Sequence, residues 1–204
     1  MLDRISNLPD DVTENIVSRL PLREATRTSV LSSKWRYKSA MLQDLAFDDK
    51  CLSTQRRTTF VNVVDHVLLL HIGPLCKFML YCINPLVPTP SHDIDRWVTH
   101  LSRNSIKQLI VYPWTSKRYN MPSSLFSCQD LVCLESYMCL LSPPSTFRGF
   151  RNLKYLTICY VNLSQVVVEN LISCSPLLKR ITARHCDGFT NLKIDAPNLD
   201  YFLC

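Results

Sequence analysis

The residues able to do covalent or metal chemistry are badly spaced for it. His185 and Cys186 form an adjacent imidazole–thiol pair. Neighbours on a strand point to opposite faces, so the two groups cannot meet as base and nucleophile. Cys128, Cys133 and Cys139 suggest a metal cluster, but no fourth ligand follows at a useful spacing, and the 10 cysteines include no C-x-x-C pair. His66 and His71 are five residues apart, which is wrong for two ligands on one helical face. Asp93 and Asp95 precede a helical pattern and suit its dipole better than an acid–base scheme. Arg56-Arg57 and Lys117-Arg118 are short basic pairs that read as solvated side chains, not as phosphate readers. The expectation is a chain without catalytic residues, metal or cofactor.

Composition narrows the class further. Of 204 residues, 47% are apolar and 20% charged, enough to build a core. Three glycines leave little material for phosphate-cradling loops or flexible linkers. The net charge of +6 is mild, and residues 101–204 hold the surplus with 11 basic against 6 acidic groups. That excess suits either a solvated face or an acidic ligand, and is far from a nucleic-acid tail. Asp3, Arg4, Asp10 and Asp11 crowd the start, where no signal-peptide run occurs, and apolar runs such as 67–70 are too short to span a bilayer. With no secretory signal, the cysteines read as reduced thiols of a cytoplasmic or nuclear protein, with neither membrane nor nucleic acid as partner.

The elements that would position any site begin with helices. Asn7 can cap and Pro9 suits a first turn, with Asp10 and Asp11 at the positive end of the dipole. Val12, Ile16, Val17 and Leu20 then recur at helical spacing. Pro21 ends that helix and opens the next, and Leu22, Ala25, Val30, Leu31 and Trp35 carry the pattern through further short helices. Forty residues is near the lower limit for an independent fold. This stretch has no Cys or His to staple it, so its apolar side needs another protein surface, either the rest of the chain or a partner.

Leu8-Pro9-Asp10-Asp11, Ile16, the segment from Arg19 to Leu22 and the segment from Thr28 to Arg36 together resemble the F-box motif, as found in the plant F-box/leucine-rich-repeat family. The resemblance covers about residues 4–40. It implies docking on a Skp-type adaptor and, through it, a cullin, with Leu8, Pro9, Ile16, Leu20, Pro21, Leu22, Val30, Leu31 and Trp35 forming the apolar docking surface or its immediate support. One departure is Ser39, where these relatives often carry a second Trp, which would weaken the junction between the helices and the rest of the chain.

Beyond residue 100 a three-point apolar pattern recurs. It reads Ile106, Leu109, Val111; then Leu131, Leu134, Ser136; then Leu153, Leu156, Ile158; then Leu178, Ile181, Ala183; then Leu199, Phe202, Cys204. The offsets of 25, 22, 25 and 21 residues fall in the leucine-rich-repeat range. Each copy supplies a strand of a parallel sheet plus a returning segment, and only stacking buries its apolar face. Cys139 and Cys186 stand where a small polarizable side chain turns inward after the strand. Ser136 and Ala183 occupy large-aliphatic positions, so those layers are expected to pack loosely. Returning helices are expected around Ile94, Trp97, Val98 and Leu101, and after Ser164 through Val167, Val168, Leu171 and Ile172. Residues 45–47 and 77–80 read as earlier strands with a helix over 60–68 between them, and residues 84–91 with their prolines read as a surface loop.

The expected fold is therefore α+β: a three-helix F-box over 1–44, then a leucine-rich-repeat solenoid over 45–204. The last copy stops at Cys204 without a closing segment, so the repeat region reads as incomplete at its C-terminus. The function this implies is a non-enzymatic subunit that recruits an unknown protein substrate to an SCF-type ubiquitin ligase. The alternatives are an interaction protein or truncated decoy that binds the adaptor without delivering substrate, and a helix-turn-helix DNA binder. The last is disfavoured because the first forty residues carry only 7 basic against 5 acidic groups.

Overall fold

The computed structural model describes residues 8–28, 33–48, 57–82, 90–113, 118–189 and 191–203. Asn7, Val30, Leu31, Arg56, Lys117, Cys204 and most of the proline-rich loop lie outside them. Three short helices open the chain: α1 (Asp10–Ser18), α2 (Leu22–Arg27) and α3 (Ser33–Lys38), the last running into a 3-10 turn at Ser39–Met41. Pro9 stands just before α1 and its carbonyl accepts from Thr13 N at 3.0 Å, so it occupies the cap position instead of the first turn. Pro21 does the same for α2, accepting from Ala25 N at 2.9 Å. Val17, Ala25 and Trp35 form the core of this bundle, with Leu8, Leu20 and Leu42 packed around them. Lys38 ties α3 to α1 through Glu14 at 2.6 Å and Asp10 at 3.5 Å, and the hydrogen bond it donates to Glu14 raises the lysine's pKa.

Beyond the bundle the elements are, in chain order, β1 (Asp44–Asp48), α4 (Arg57–Leu70), β2 (Lys77–Tyr81), α5 (Ser91–Ser102), β3 (Gln108–Tyr112) and β4 (Tyr119–Asn120). A 3-10 turn at Ser123–Ser127 precedes β5 (Cys133–Tyr137), β6 (Cys139–Leu140), β7 (Tyr155–Cys159), α6 (Gln165–Ser173), β8 (Arg180–Arg184) and β9 (Tyr201–Leu203). Seven of the strands form one parallel sheet in the order β1-β2-β3-β5-β7-β8-β9, while β4 and β6 pair in a second, narrow ribbon. Sequential order in a parallel sheet is what stacked repeats produce, since each copy returns the chain to the side of its predecessor.

Register confirms the repeat pattern residue by residue. Leu45, Phe78, Leu109, Leu134, Leu156, Ile181 and Phe202 are cross-strand partners. Two residues on, Phe47, Leu80, Val111, Ser136, Ile158 and Ala183 align in the same way. Side chains alternate across a strand, so both rows face inward, and all but the partly buried Phe202 are fully enclosed. The returning segments change along the chain. Helices α4 and α5 bury Phe60, Val64, Leu68, Ile94, Trp97, Val98 and Leu101, whereas the connections around β5 are a short turn and loops, with α6 restoring a helix. Ser164 sits at the N-cap of α6 as expected, but its side chain makes no cap bond.

Ser136 is where the inner layer departs from its pattern. Its hydroxyl is buried beside the Cys139 thiol, its nearest polar neighbour, and makes no hydrogen bond of good geometry among the described residues. A buried, unpaired hydroxyl costs stability. Replacing Ser136 by Ala is expected to raise stability by about 1 kcal/mol, seen as a higher urea midpoint at unchanged slope.

The bundle and the sheet are packed together. Leu22 of α2 belongs to the large core with Leu45 and Phe47, not to the bundle's own core. Ile72 N donates to Ala40 O at 2.8 Å, a His71 ring nitrogen lies 2.9 Å from Leu42 O, and Cys76 and Lys77 N both donate to Gln43 O. Ser39 is buried at this junction. Backbone bonds and the leucines hold the two parts together around Ser39.

Candidate functional site

Two surfaces stand out, one on the bundle and one on the sheet. On α1 the apolar residues divide between two sides. Val17 turns inward with Thr13, whose hydroxyl donates to Asp10 O at 2.8 Å and so enters the interior without an unpaired donor. Val12 and Ile16 turn outward at 38% and 39% exposure, so the expected stripe of Val12, Ile16, Val17 and Leu20 is not a single buried face. Pro9, Val12 and Ile16 are spaced by three and four residues and make an exposed apolar strip. Among the residues expected to dock or support docking, Pro9, Ile16 and Pro21 are exposed, Leu8 and Leu20 half-buried, and Leu22 and Trp35 buried. Val30 and Leu31 fall outside the described residues. Val12 joins this set from the structure alone. Its spacing of four from Ile16 is readable in the sequence, but an apolar residue on an amphipathic helix is ordinarily expected to face inward.

The second surface is the outer face of the sheet. Tyr81, Tyr112 and Tyr137 end β2, β3 and β5 in cross-strand register, and Tyr160 and His185 continue the row just past β7 and β8. Ring centroids are 5.1, 5.2, 5.1 and 4.6 Å apart along this series, with Tyr112 on Tyr137 and Tyr160 on His185 stacked. Those separations match the spacing of neighbouring strands, about 4.8 Å, so the stacked rings stand upright on the sheet. The step from strand end to the residue beyond comes from the backbone. Met138, Tyr160 and His185 each have φ near +50°, which swings the chain so that Cys139, Val161 and Cys186 turn toward the core. Bonds from Met138 N to Cys159 O and from Tyr160 N to Arg184 O, both 2.9 Å, hold these strained residues.

Tyr112 donates to Glu135 Oε2 at 3.3 Å, and burial is the main cause of its raised phenol pKa. Arg184 ends β8 beside the row, and Arg180 lies 5.2 Å from the Tyr201 ring centre. A sequence signal for the row exists: each tyrosine of β2, β3 and β5 stands three residues after the inward Phe78, Leu109 or Leu134.

The candidate chemical groups are placed for packing. His185 stacks on Tyr160, while the Cys186 thiol donates to Ile158 O and Arg184 O at 3.5 and 3.4 Å. Burial pushes the thiols of Cys133 and Cys139 up to about 11 and that of Cys128 up to about 12, so none is a ready thiolate at neutral pH. Among the described residues no group of three His, Cys, Asp or Glu could hold a metal ion, and no helix is long and apolar enough to cross a membrane. Asp93 lies inside the first turn of α5 and accepts from Arg96, which also pairs with Asp65 of α4. Trp97 Nε1 donates to the same Asp65 at 2.7 Å, and Asp95 accepts from Tyr119. These carboxylates fasten helix to helix and helix to ribbon; they do more than complement a dipole.

The F-box domain family matches residues 5–44, and the family of LRR repeats of the FBD-associated F-box protein At5g56370 matches residues 94–204. The chain is 43% identical to the F-box/FBD/LRR-repeat protein At1g13570 of Arabidopsis thaliana, over 98% of this chain and 48% of that protein. It is 31% identical to the putative FBD-associated F-box protein At5g56440 of the same plant, over 97% and 47%. Identity is also 31% to its F-box/LRR-repeat protein At3g58980, over 98% and 39%. The chain spans about half the length, or less, of these relatives.

Proposed function

This chain belongs to the plant F-box/leucine-rich-repeat family, and from that membership we propose that it is a substrate-recognition subunit of an SCF-type ubiquitin ligase. The observation that carries the reading is the Pro9–Val12–Ile16 strip. It is an apolar surface on a bundle whose core, among the described residues, is built of Val17, Ala25 and Trp35 and does not include it. Exposed apolar area of this kind favours association, and a Skp-type adaptor is the partner that the F-box match supports. Trp35 and Leu22 act from beneath by fixing the bundle's shape and its seat on the sheet. A cullin is reached only through the adaptor.

The repeat sheet then holds a protein target. In this mechanism the chain itself breaks and makes no bond. Tethering target and charged ubiquitin in one assembly turns a bimolecular lysine attack into an effectively intramolecular one. The test is co-expression of residues 1–204 with a plant Skp-type adaptor. A stoichiometric complex on size exclusion is expected, and separate elution at micromolar concentration overturns the reading. A complex that forms but supports no ubiquitin transfer to any co-bound protein would favour the interaction-protein alternative.

A further inference from the structure

We propose that the edge of the sheet where β7 and β8 begin is a docking surface for a short acidic segment of a partner protein, one that also carries apolar side chains. The surface lies at the opposite ends of the strands from the aromatic row. The inference goes beyond the ligase reading and does not depend on it.

Charge is concentrated at this edge. Residues 148–155 and 175–180 hold five basic groups, Arg148, Arg151, Lys154, Lys179 and Arg180, and no acid, in a chain whose net charge is +6. Among the described residues none of the five is in an ion pair, whereas Arg27, Lys38, Arg96 and Arg118 each have one. The backbone explains how the lysines stay outside. Lys154 N and Tyr155 N both donate to Val132 O, and Lys179 N and Arg180 N both donate to Lys154 O. Two residues set against one re-aim the side chains at the start of a strand, as in a bulge. Lys154 is thus half-buried and Lys179 exposed, although each directly follows an enclosed leucine, Leu153 or Leu178.

The neighbours of these cations decide the occupant. Acids bound the patch: Asp130 precedes β5 on one side and Asp200 precedes β9 on the other, where Asp200 N donates to Lys179 O. Three strand spacings, about 14 Å, separate the two acids. The room between them suits two or three carboxylates, and a long polyanion meets like charge at both ends. Arginine forks at the patch pair bidentately with carboxylates.

Apolar groups share the edge. Tyr155, Leu177 and Tyr201 are 43%, 41% and 45% exposed, and Tyr155, Arg180 and Tyr201 are cross-strand partners. An exposed leucine favours an apolar side chain and offers nothing to a phosphate. A nucleic-acid strand needs successive open rings for its bases, and Arg180 lies over the Tyr201 ring. Beside the patch a cleft of about 220 Å³ sets Phe126, Phe147 and Pro144 against Arg148 and Arg151, with no acid in its lining. It is smaller than the roughly 300 Å³ at which pockets for free ligands begin, and suits a side chain of a docked segment.

The experiment pans a phage library of random linear dodecapeptides against the 204-residue chain and then measures the enriched peptides in solution. One counter-screen carries Arg151→Glu with Lys179→Glu at the patch. A control carries Arg19→Glu with Arg184→Glu elsewhere and changes the net charge equally; all four positions are exposed, and melting checks that each variant folds. Sequences with Asp or Glu beside Leu, Ile or Phe are expected. Binding should weaken at least tenfold in the patch variant, less than threefold in the control, and for the unaltered chain at higher salt. Lys179→Glu alone should show part of the loss and serves if the double variant does not fold. Enrichment of neutral or basic sequences, no enrichment, equal losses in the two double variants, or tighter binding of a single-stranded DNA oligonucleotide than of the enriched peptides overturns the proposal. Adaptor capture is read separately, so failure here leaves the ligase assignment untouched.

Discussion

Exchanging Ile16 for Asp is expected to weaken adaptor binding by at least 100-fold while leaving the fold in place. Ile16 is 39% exposed on the outer side of α1, and the bundle core of Val17, Ala25 and Trp35 does not contain it. A carboxylate there stays solvated in the free chain. Its cost to the helix is a modest dipole and propensity term, below about 1 kcal/mol. In the complex the same carboxylate would be buried without a partner, at about 3–5 kcal/mol, which is about two to three and a half decades in Kd. Val12→Asp should behave alike, being exposed on the same strip. Leu20→Asp should differ, because Leu20 packs on the bundle core, so that variant loses adaptor and fold together. Titration calorimetry of adaptor with the purified variants, alongside thermal melts, reads both effects. An Ile16→Asp chain that melts normally and binds adaptor as tightly as wild type would place the docking face elsewhere.

The largest expected loss of stability comes from one methyl group. Gly149 has φ of +90°, and a Cβ built on it would stand 1.8 Å from the Cys174 carbonyl oxygen and 2.4 Å from its carbon. Both atoms are backbone, at the end of α6, and cannot rotate away. Gly149→Ala therefore adds overpacking of about 1–3 kcal/mol to a left-handed backbone penalty of about 1–2 kcal/mol. For a domain of this size that lowers Tm by roughly 5–15 °C. Gly73→Ala isolates the two causes. Gly73 has a comparable φ of +100° but nothing within 4 Å of its would-be Cβ, so it should lose only the smaller, conformational part. Equal Tm losses at the two sites would show that the contact with Cys174 relaxes freely.

The inner rows of the sheet are legible in the sequence because burial restricts residue type. Leu134, Leu156 and Ile181 have to be apolar and have to recur at the repeat offset, so counting finds them. The outer row is less legible because solvent tolerates any residue: Gln108, Cys133, Tyr155 and Arg180 share one register position and no chemical property. The face of α1 escapes the pattern for a related reason. Thr13 goes inside because its hydroxyl finds Asp10 O, which frees Val12 and Ile16 to remain outside. Residue type alone does not reveal a local hydrogen bond that lets a polar group replace an apolar one. Asp65 is invisible as a junction residue, since its partners Arg96 and Trp97 lie more than thirty positions away.

Leu22 gives the opening bundle a second duty. By entering the layer of Leu45 and Phe47, it makes the bundle an end-plate for the stack of repeats. The adaptor-facing part cannot then be exchanged like an independent cassette: a chain beginning at residue 45 would bare the first inner layer to water. Under the proposed function, recruitment to the ligase and integrity of the repeat sheet would be inherited together, and a lesion in either part would be felt by both.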